Sequence, residues 1–182
     1  MNNAIIIHGA YGNPNENWFP WLKGELEKNN YKVFVPAFPT PENQSLENWM
    51  NVFTEYDGKL NSETIMIGHS IGVGFILNVL EKYNQKIKAC YLVSGFIGLL
   101  SDKTLNEINK IFVEKEFDWK KIKNNCENFV IFHSENDPYV PIDKAYELAA
   151  LLEADLIIVK DGGHFNKVAG YEKFELLLRE II

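Results

Sequence analysis

The stretch Thr64-Ile65-Met66-Ile67-Gly68-His69-Ser70-Ile71-Gly72-Val73-Gly74-Phe75-Ile76-Leu77 decides the fold. Residues 64–68 are a short apolar run and read as a buried strand. Across residues 71–83 apolar side chains fall almost all round a helical wheel, so a buried helix is predicted there. Ser70 sits between the two, on a turn tight enough to strain its backbone. Side chains two residues to either side would strike the neighbouring strand and helix, which explains Gly68 and Gly72. With Gly and Ser each near ~7% of residues, Gly-x-Ser-x-Gly arises by chance in roughly 6% of chains this long. The strand before it and the helix after it make it informative. Ser70 is then held clear of the sheet at a helix N-terminus, where the dipole favours developing negative charge. The plain alternative is a Gly-rich turn with no chemistry. A nucleotide reading fails: Gly72-Val73-Gly74 meets Leu77 at the third glycine position, and no G-x-x-x-x-G-K-[ST] occurs.

Strand-like and helix-like segments alternate outward from this point. Upstream, residues 4–8 are an Ile-rich strand, 18–29 a helix with Pro20 in its first turn, and 31–35 a strand ended by Pro36. Residues 36–41 hold three prolines and read as a loop. Ser45 is placed to cap a helix running through Leu46, Trp49, Val52, Phe53 and Tyr56. Downstream, 87–93 is a strand, and 95–127 holds a helix near 105–113 and a short turn near Trp119. Residues 129–133 are a fifth strand. Asp143 caps a helix through Leu152, 156–159 is a sixth strand, and 171–182 closes as an amphipathic helix. Near-continuous apolar strands alternating with helices mean parallel strands covered on both faces. The expected product is a three-layer α/β/α sandwich, with a mostly parallel sheet of about six strands joined by right-handed crossovers. Ligands in such sheets bind at the carboxyl ends of the strands, so the chemistry is expected just after strands.

The composition fits one domain over residues 1–182, with 46% apolar and 24% charged residues. No apolar run approaches the ~20 residues needed to span a bilayer, and residues 1–7 lack the features of a signal peptide. Cytoplasm is the expected location. Cys90 lies in an apolar run and Cys126 in a polar loop; a disulfide between them would be unusual there. The formal charge is −7, and no basic stripe suited to phosphates is present. Lys120-Lys121-Ile122-Lys123 reads as an exposed helix face. Neither nucleic acid nor membrane is expected as a partner.

A serine hydroxyl is a weak nucleophile near neutral pH and needs a base within hydrogen-bond reach. On an open α/β sheet the order is serine, then acid, then histidine, the last two on loops after late strands. His164 fits, in Lys160-Asp161-Gly162-Gly163-His164-Phe165, where two glycines free its loop to turn. His8, His69 and His133 come too early and read as packed or hydrogen-bonded residues. The acid is expected in His133-Ser134-Glu135-Asn136-Asp137-Pro138-Tyr139-Val140-Pro141. Asp137 is the best candidate, because Pro138 and Pro141 stiffen its loop. Its task is to fix the His164 tautomer and stabilise the imidazolium. Glu135 and Asp143 are rivals, Asp143 being better spent as a helix cap, and Asp161 lies on the wrong side of the expected order. Backbone donors for a developing oxyanion are expected from Ile71, the residue after the serine, and from His8-Gly9-Ala10-Tyr11-Gly12, with Ala10 first choice and Tyr11 second.

With these residues in place the chain resembles the small serine hydrolases of the retinoblastoma-binding protein 9 and YdeN type. The resemblance runs nearly end to end. It rests on His8-Gly9, Asn17-Trp18-Phe19-Pro20-Trp21-Leu22, Gly68-His69-Ser70-Ile71-Gly72, Asn136-Asp137-Pro138 with Val140-Pro141, and Gly162-Gly163-His164-Phe165. It implies a compact α/β-hydrolase core with almost no lid, and a triad at Ser70, Asp137 and His164. No cofactor and no metal are implied. The protein partner behind the first family name is not carried over, since no Leu-x-Cys-x-Glu segment occurs.

Pocket candidates on loops after strands are Tyr11, Trp18, Phe96, Trp119, Tyr139 and Phe165, with Phe38, Ile97 and Leu99 beside them. About a third are expected to touch a ligand, since large apolar residues are more often core. The short apolar segment 96–100 stands where larger relatives insert a lid, which points to an open site and a small ester or amide. Hydrolysis through an acyl-enzyme is the expected reaction. An acyltransferase with the same triad, or a binding module on a hydrolase fold, are the alternatives.

Overall fold

Six strands form one parallel sheet in this computed structural model, which describes residues 2–182. They are β1 Asn3–Ile7, β2 Lys32–Phe34, β3 Ile65–His69, β4 Ile87–Val93, β5 Cys126–Ser134 and β6 Asp155–Val159, in the order β2-β1-β3-β4-β5-β6. The chain starts at β1, adds β2 on one side, and then crosses to β3 on the other. The winding reverses between β1 and β3, and this reversal opens a crevice at their carboxyl ends. The register Ile7↔Gly68 sets the residues after β1 beside the turn that carries Ser70.

Alternation along each strand sorts the apolar side chains into two layers. Ala4, Ile6, Ile65 and Ile67 face one way and pack under α1 Phe19–Lys28 and α7 Glu175–Ile181. Ile5, Ile7, Met66, Cys90 and Leu92 face the other way. There they meet α2 Leu46–Phe53, α3 Ile71–Lys82, α4 Lys103–Val113, α5 Trp119–Asn124 and α6 Ile142–Leu152. Two helices thus cover one face and five the other, which is why the strands read as continuous apolar runs rather than alternating ones. Each fully buried Ile or Phe of these layers contributes roughly 1.5–3 kcal/mol. Helix α3 is buried from Ile71 to Leu80, because it lies on the sheet beneath α2, α4 and α5.

Several expectations are corrected. Strand β5 begins at Cys126, so this cysteine lies buried in the sheet rather than in a polar loop. Cys90 and Cys126 are both free thiols, and burial first, with Cys126 alongside, pushes Cys90 well above its ordinary value. Trp119 opens a helix rather than a turn, capped by Asp118, whose carboxylate accepts from Lys121 N–H. Asp143 is not the cap of α6. Pro141 holds that position, and Asp143 sits in the first turn, where its charge meets the helix dipole. Helix α7 starts at Glu175, not at residue 171: a 3₁₀ turn at Lys167–Ala169 and the left-handed Gly170 (φ +87) redirect the chain first. Helix α2 stops at Phe53, short of Tyr56; its Ser45 cap accepts from Asn48 N–H as expected. Among the described residues no helix is long and apolar enough to cross a membrane.

Candidate active site

Ser70 joins β3 to α3 with φ 56 and ψ −124, a conformation L-residues rarely adopt. Its N–H donates to Val93 O (2.9 Å) and its carbonyl accepts from Val73 N–H (3.0 Å), so the turn is pinned to β4 and α3. The flanking glycines answer to different neighbours. A Cβ on Gly68 would lie 2.7 Å from Ile76 Cδ1 and 3.0 Å from Val73 N, against α3. One on Gly72 would lie 2.6 Å from Ile7 O and 2.8 Å from His8 O, against the end of β1.

Asp137 and His164 meet across the loops after β5 and β6. His164 Nδ1 and Asp137 Oδ2 are 2.8 Å apart. Asp137 Oδ1 accepts from Tyr139 N–H (2.9 Å) and Val140 N–H (3.0 Å), so both oxygens of the carboxylate are held. Burial alone pushes this carboxyl up. The His164 hydrogen bond and charge, with the two backbone donors, outweigh it and hold the group below its ordinary value. The carboxylate therefore stays charged where an imidazolium would need it. His164 and Ser70 line one cavity, and among the described residues no hydrogen bond joins the two. Such bonds often tighten only when substrate is bound.

The loop after β1 comes within van der Waals limits of the serine: a Cβ on Gly9 would lie 3.0 Å from Ser70 Cβ. Ala10 lines the cavity, and its N–H has no partner among the described residues. Tyr11 N–H donates to Thr40 Oγ1 (2.8 Å), which removes the second choice for that donor. Ile71 is the first residue of α3, so its N–H has no intrahelical acceptor.

The cavity has a volume of about 600 Å³. Tyr11, Phe96 and Tyr139 line it; Trp18, Trp119 and Phe165 do not. Trp18 is fully buried beneath α1 and α7, its indole N–H donating to Phe165 O (2.8 Å). Phe165 stacks on Phe174 at 4.9 Å and 16°. Trp119 packs on Phe117 and borders a separate hollow shared with Ile97. Phe38 is core, stacked on Trp49, and Leu99 is exposed outside the cavity.

Comparison with known proteins assigns the chain at this point. The family model described as serine hydrolase matches residues 4–181. The chain belongs to the serine hydrolase family. YdeN of Bacillus subtilis (strain 168) is 30% identical over 176 residues, 96% of this chain and 91% of its own length. The serine hydrolase RBBP9 of Rattus norvegicus is 29% identical over 172 residues, 93% of this chain and 90% of its own. The crystal structure of the B. subtilis ydeN gene product superposes with a TM-score of 0.93, at 29% identity, covering 100% of this chain and 97% of that one. Est1E from Butyrivibrio proteoclasticus shares the fold, with a TM-score of 0.71 at 17% identity over 100% of this chain and 88% of its own.

This serine hydrolase uses residues around the site that sequence reasoning left unassigned. Gly162 N–H donates to Ser134 Oγ (2.8 Å), and Gly163 N–H to Asn136 Oδ1 (2.8 Å). Ser134 Oγ–H donates to Asn136 Oδ1 (2.6 Å). The acid loop and the histidine loop are thereby tied together at both ends. His69 Nε2–H donates to His164 O (2.8 Å), with the rings 4.8 Å apart, and His133 Nε2–H donates to Val140 O (3.0 Å). The available signal was weak: short polar side chains flanking a candidate acid look like ordinary turn residues.

These histidines give the fold a defined acid sensitivity. Burial first, then the His164 charge, drives His69 down to about 3, and burial also lowers His8 and His133. Each takes up its proton at a lower pH when folded than when unfolded, so stability falls as pH falls below about 6.5. Lowered Asp137 acts in the same direction at still lower pH. From pH 7 to 4.5, His69 alone should cost roughly 2–3 kcal/mol. Urea midpoints that stay constant across this range would contradict the account.

Proposed function

We propose that this chain hydrolyses small carboxylic esters, with small amides as second substrates, through an acyl-enzyme on Ser70. We assign the reaction to one hydrolase domain over residues 1–182. Ser70 Oγ attacks the carbonyl carbon as His164 Nε2 takes its proton, and Asp137 holds Nδ1–H and stabilises the imidazolium. The negative charge on the carbonyl oxygen falls between the N–H groups of Ile71 and Ala10, each such donor being worth ~10²–10³ in rate. Collapse breaks the ester C–O bond and returns the proton from His164 to the departing alcohol. Water then repeats the attack on the acyl-enzyme, giving the acid and free Ser70.

The observation that carries this reading is the convergence on one cavity of a strained serine, a histidine with its Nδ1 2.8 Å from a buried carboxylate, and an unpartnered Ala10 N–H. Strain of this kind persists only where the surroundings hold it. A fluorophosphonate probe should label the wild type and leave Ser70→Ala unlabelled. Equal labelling of both would remove Ser70 from the mechanism. A panel of p-nitrophenyl esters of increasing acyl length then maps the apolar part of the cavity.

A further inference from the structure

The cavity at Ser70 is lined by two unlike groups of residues. One is hydrocarbon, formed by buried Phe96, Leu100 and Val140 with half-buried Leu105. The other is polar, formed by Glu16, Asn17, Asn166 and Lys167 from the loops after β1 and β6. Lys167 N–H donates to Asn17 Oδ1 (2.8 Å), which ties the two loops together. The Lys167 ammonium pairs with Glu172 at 2.9 Å, which meets part of its charge.

Glu16 has no such partner. Its hydrogen bonds are long ones from the Asn13 amide to Oε2 (3.3 Å) and from the Asn17 amide to Oε1 (3.4 Å). No Lys, Arg or His pairs with it among the described residues. The carboxylate is half-buried against the Gly9–Gly12 turn: a Cβ on Gly12 would lie 2.6 Å from Glu16 Oε1. Burial pushes its carboxyl above the ordinary value, and the hydrogen bonding from Asn13 offsets that desolvation cost only in part. The charge also has the wrong sign for its place. It sits on the loop that offers Ala10 N–H, where it opposes the negative charge of an acyl-transfer transition state. A cation carried in by the substrate relieves both penalties.

We infer that Glu16 sets specificity for esters whose leaving alcohol bears an ammonium group, seated on its carboxylate while the acyl chain lies over Leu100 and Leu105. The inference rests on the esterase reading above. The alcohol side is favoured because the leaving group must reach solvent before water enters, and Lys167 and Val168 are exposed where Phe96, Leu100 and Val140 are buried. The acyl group stays through the second step, and the buried apolar residues suit it.

The test compares hexanoylcholine with the neohexyl ester of the same acid, in which carbon replaces the quaternary nitrogen. The full chain should prefer the choline ester by about tenfold or more in kcat/KM, the scale of one ion-pair contact in a partly desolvated site. In Glu16→Gln the ratio of the two should fall to within about twofold of unity. A purely structural role would lower both rates and leave the ratio untouched, and that result overturns the inference. So does a wild type without preference. An aminoacyl ester preferred over both, and losing that preference in Glu16→Gln, overturns the alcohol-side placement. p-Nitrophenyl hexanoate is assayed in parallel. If it is not turned over, the esterase reading fails and this inference with it; if it is, without cation preference, only the inference fails.

Discussion

Replacing Ser70 with glycine should abolish turnover and stabilise the fold at the same time. The rate loss is expected at about four to six orders of magnitude in kcat, the scale seen when a nucleophile acting as part of a unit is removed. The stability gain comes from the backbone. Ser70 is held at φ 56 and ψ −124, where a Cβ is strained and glycine is not. Its side chain makes no capping hydrogen bond to α3, so little is lost with it. A gain of about 1 kcal/mol follows, or roughly 2–4 °C in Tm for a chain of this size. Ser70→Ala should lose the same activity with no such gain. Initial rates on an activated ester and thermal melts of the three proteins check both halves. Retained turnover in the glycine variant would remove Ser70 from the chemistry, and an unchanged Tm would show that the bend stores no strain.

The same bend explains why so much of the architecture was legible. Gly68 and Gly72 are forced by contacts with α3 and β1, and those contacts exist only if a strand turns at once into a helix. The order of serine, acid and histidine then follows from which strands end at the crevice. The cavity was less legible, because Trp18 and Phe165 look like Tyr11 and Tyr139 in one dimension. What separates them is α7, which brings Phe174 against both buried rings, while Tyr11 and Tyr139 have no helix above them. The start of α7 itself was misplaced, since the turn at Gly170 interrupts a period that runs on through residues 171–174. The polar tie through Ser134 and Asn136 was invisible for a related reason. Its partners are the backbone N–H groups of Gly162 and Gly163, which have no side chain to signal them. Glu16 belongs to no motif in the sequence, and only the cavity gives it its neighbours.

Asp137→Asn should keep the fold and lose about four orders of magnitude in kcat. Asp137 Oδ1 accepts from Tyr139 N–H and Val140 N–H, donors fixed in the backbone. An asparagine has one acceptor oxygen, and these two N–H groups will claim it. Its NH₂ then faces His164 Nδ1, which must accept, so the imidazole proton moves to Nε2. That nitrogen is the one required to take the Ser70 proton, and in this tautomer it has no lone pair to do so. The carboxylate that would stabilise the imidazolium is lost as well. Asp137→Ala separates the effects. It leaves the imidazole free to adopt either tautomer, so its kcat should exceed that of the asparagine variant. It also takes the acceptor from the exposed Tyr139 N–H and the part-buried Val140 N–H, costing about 1 kcal/mol that the asparagine variant retains. Rates and urea midpoints of both variants therefore move in opposite order. An asparagine variant keeping more than about a tenth of wild-type kcat would mean that Asp137 does not set the His164 tautomer, and that its role is confined to folding the loop.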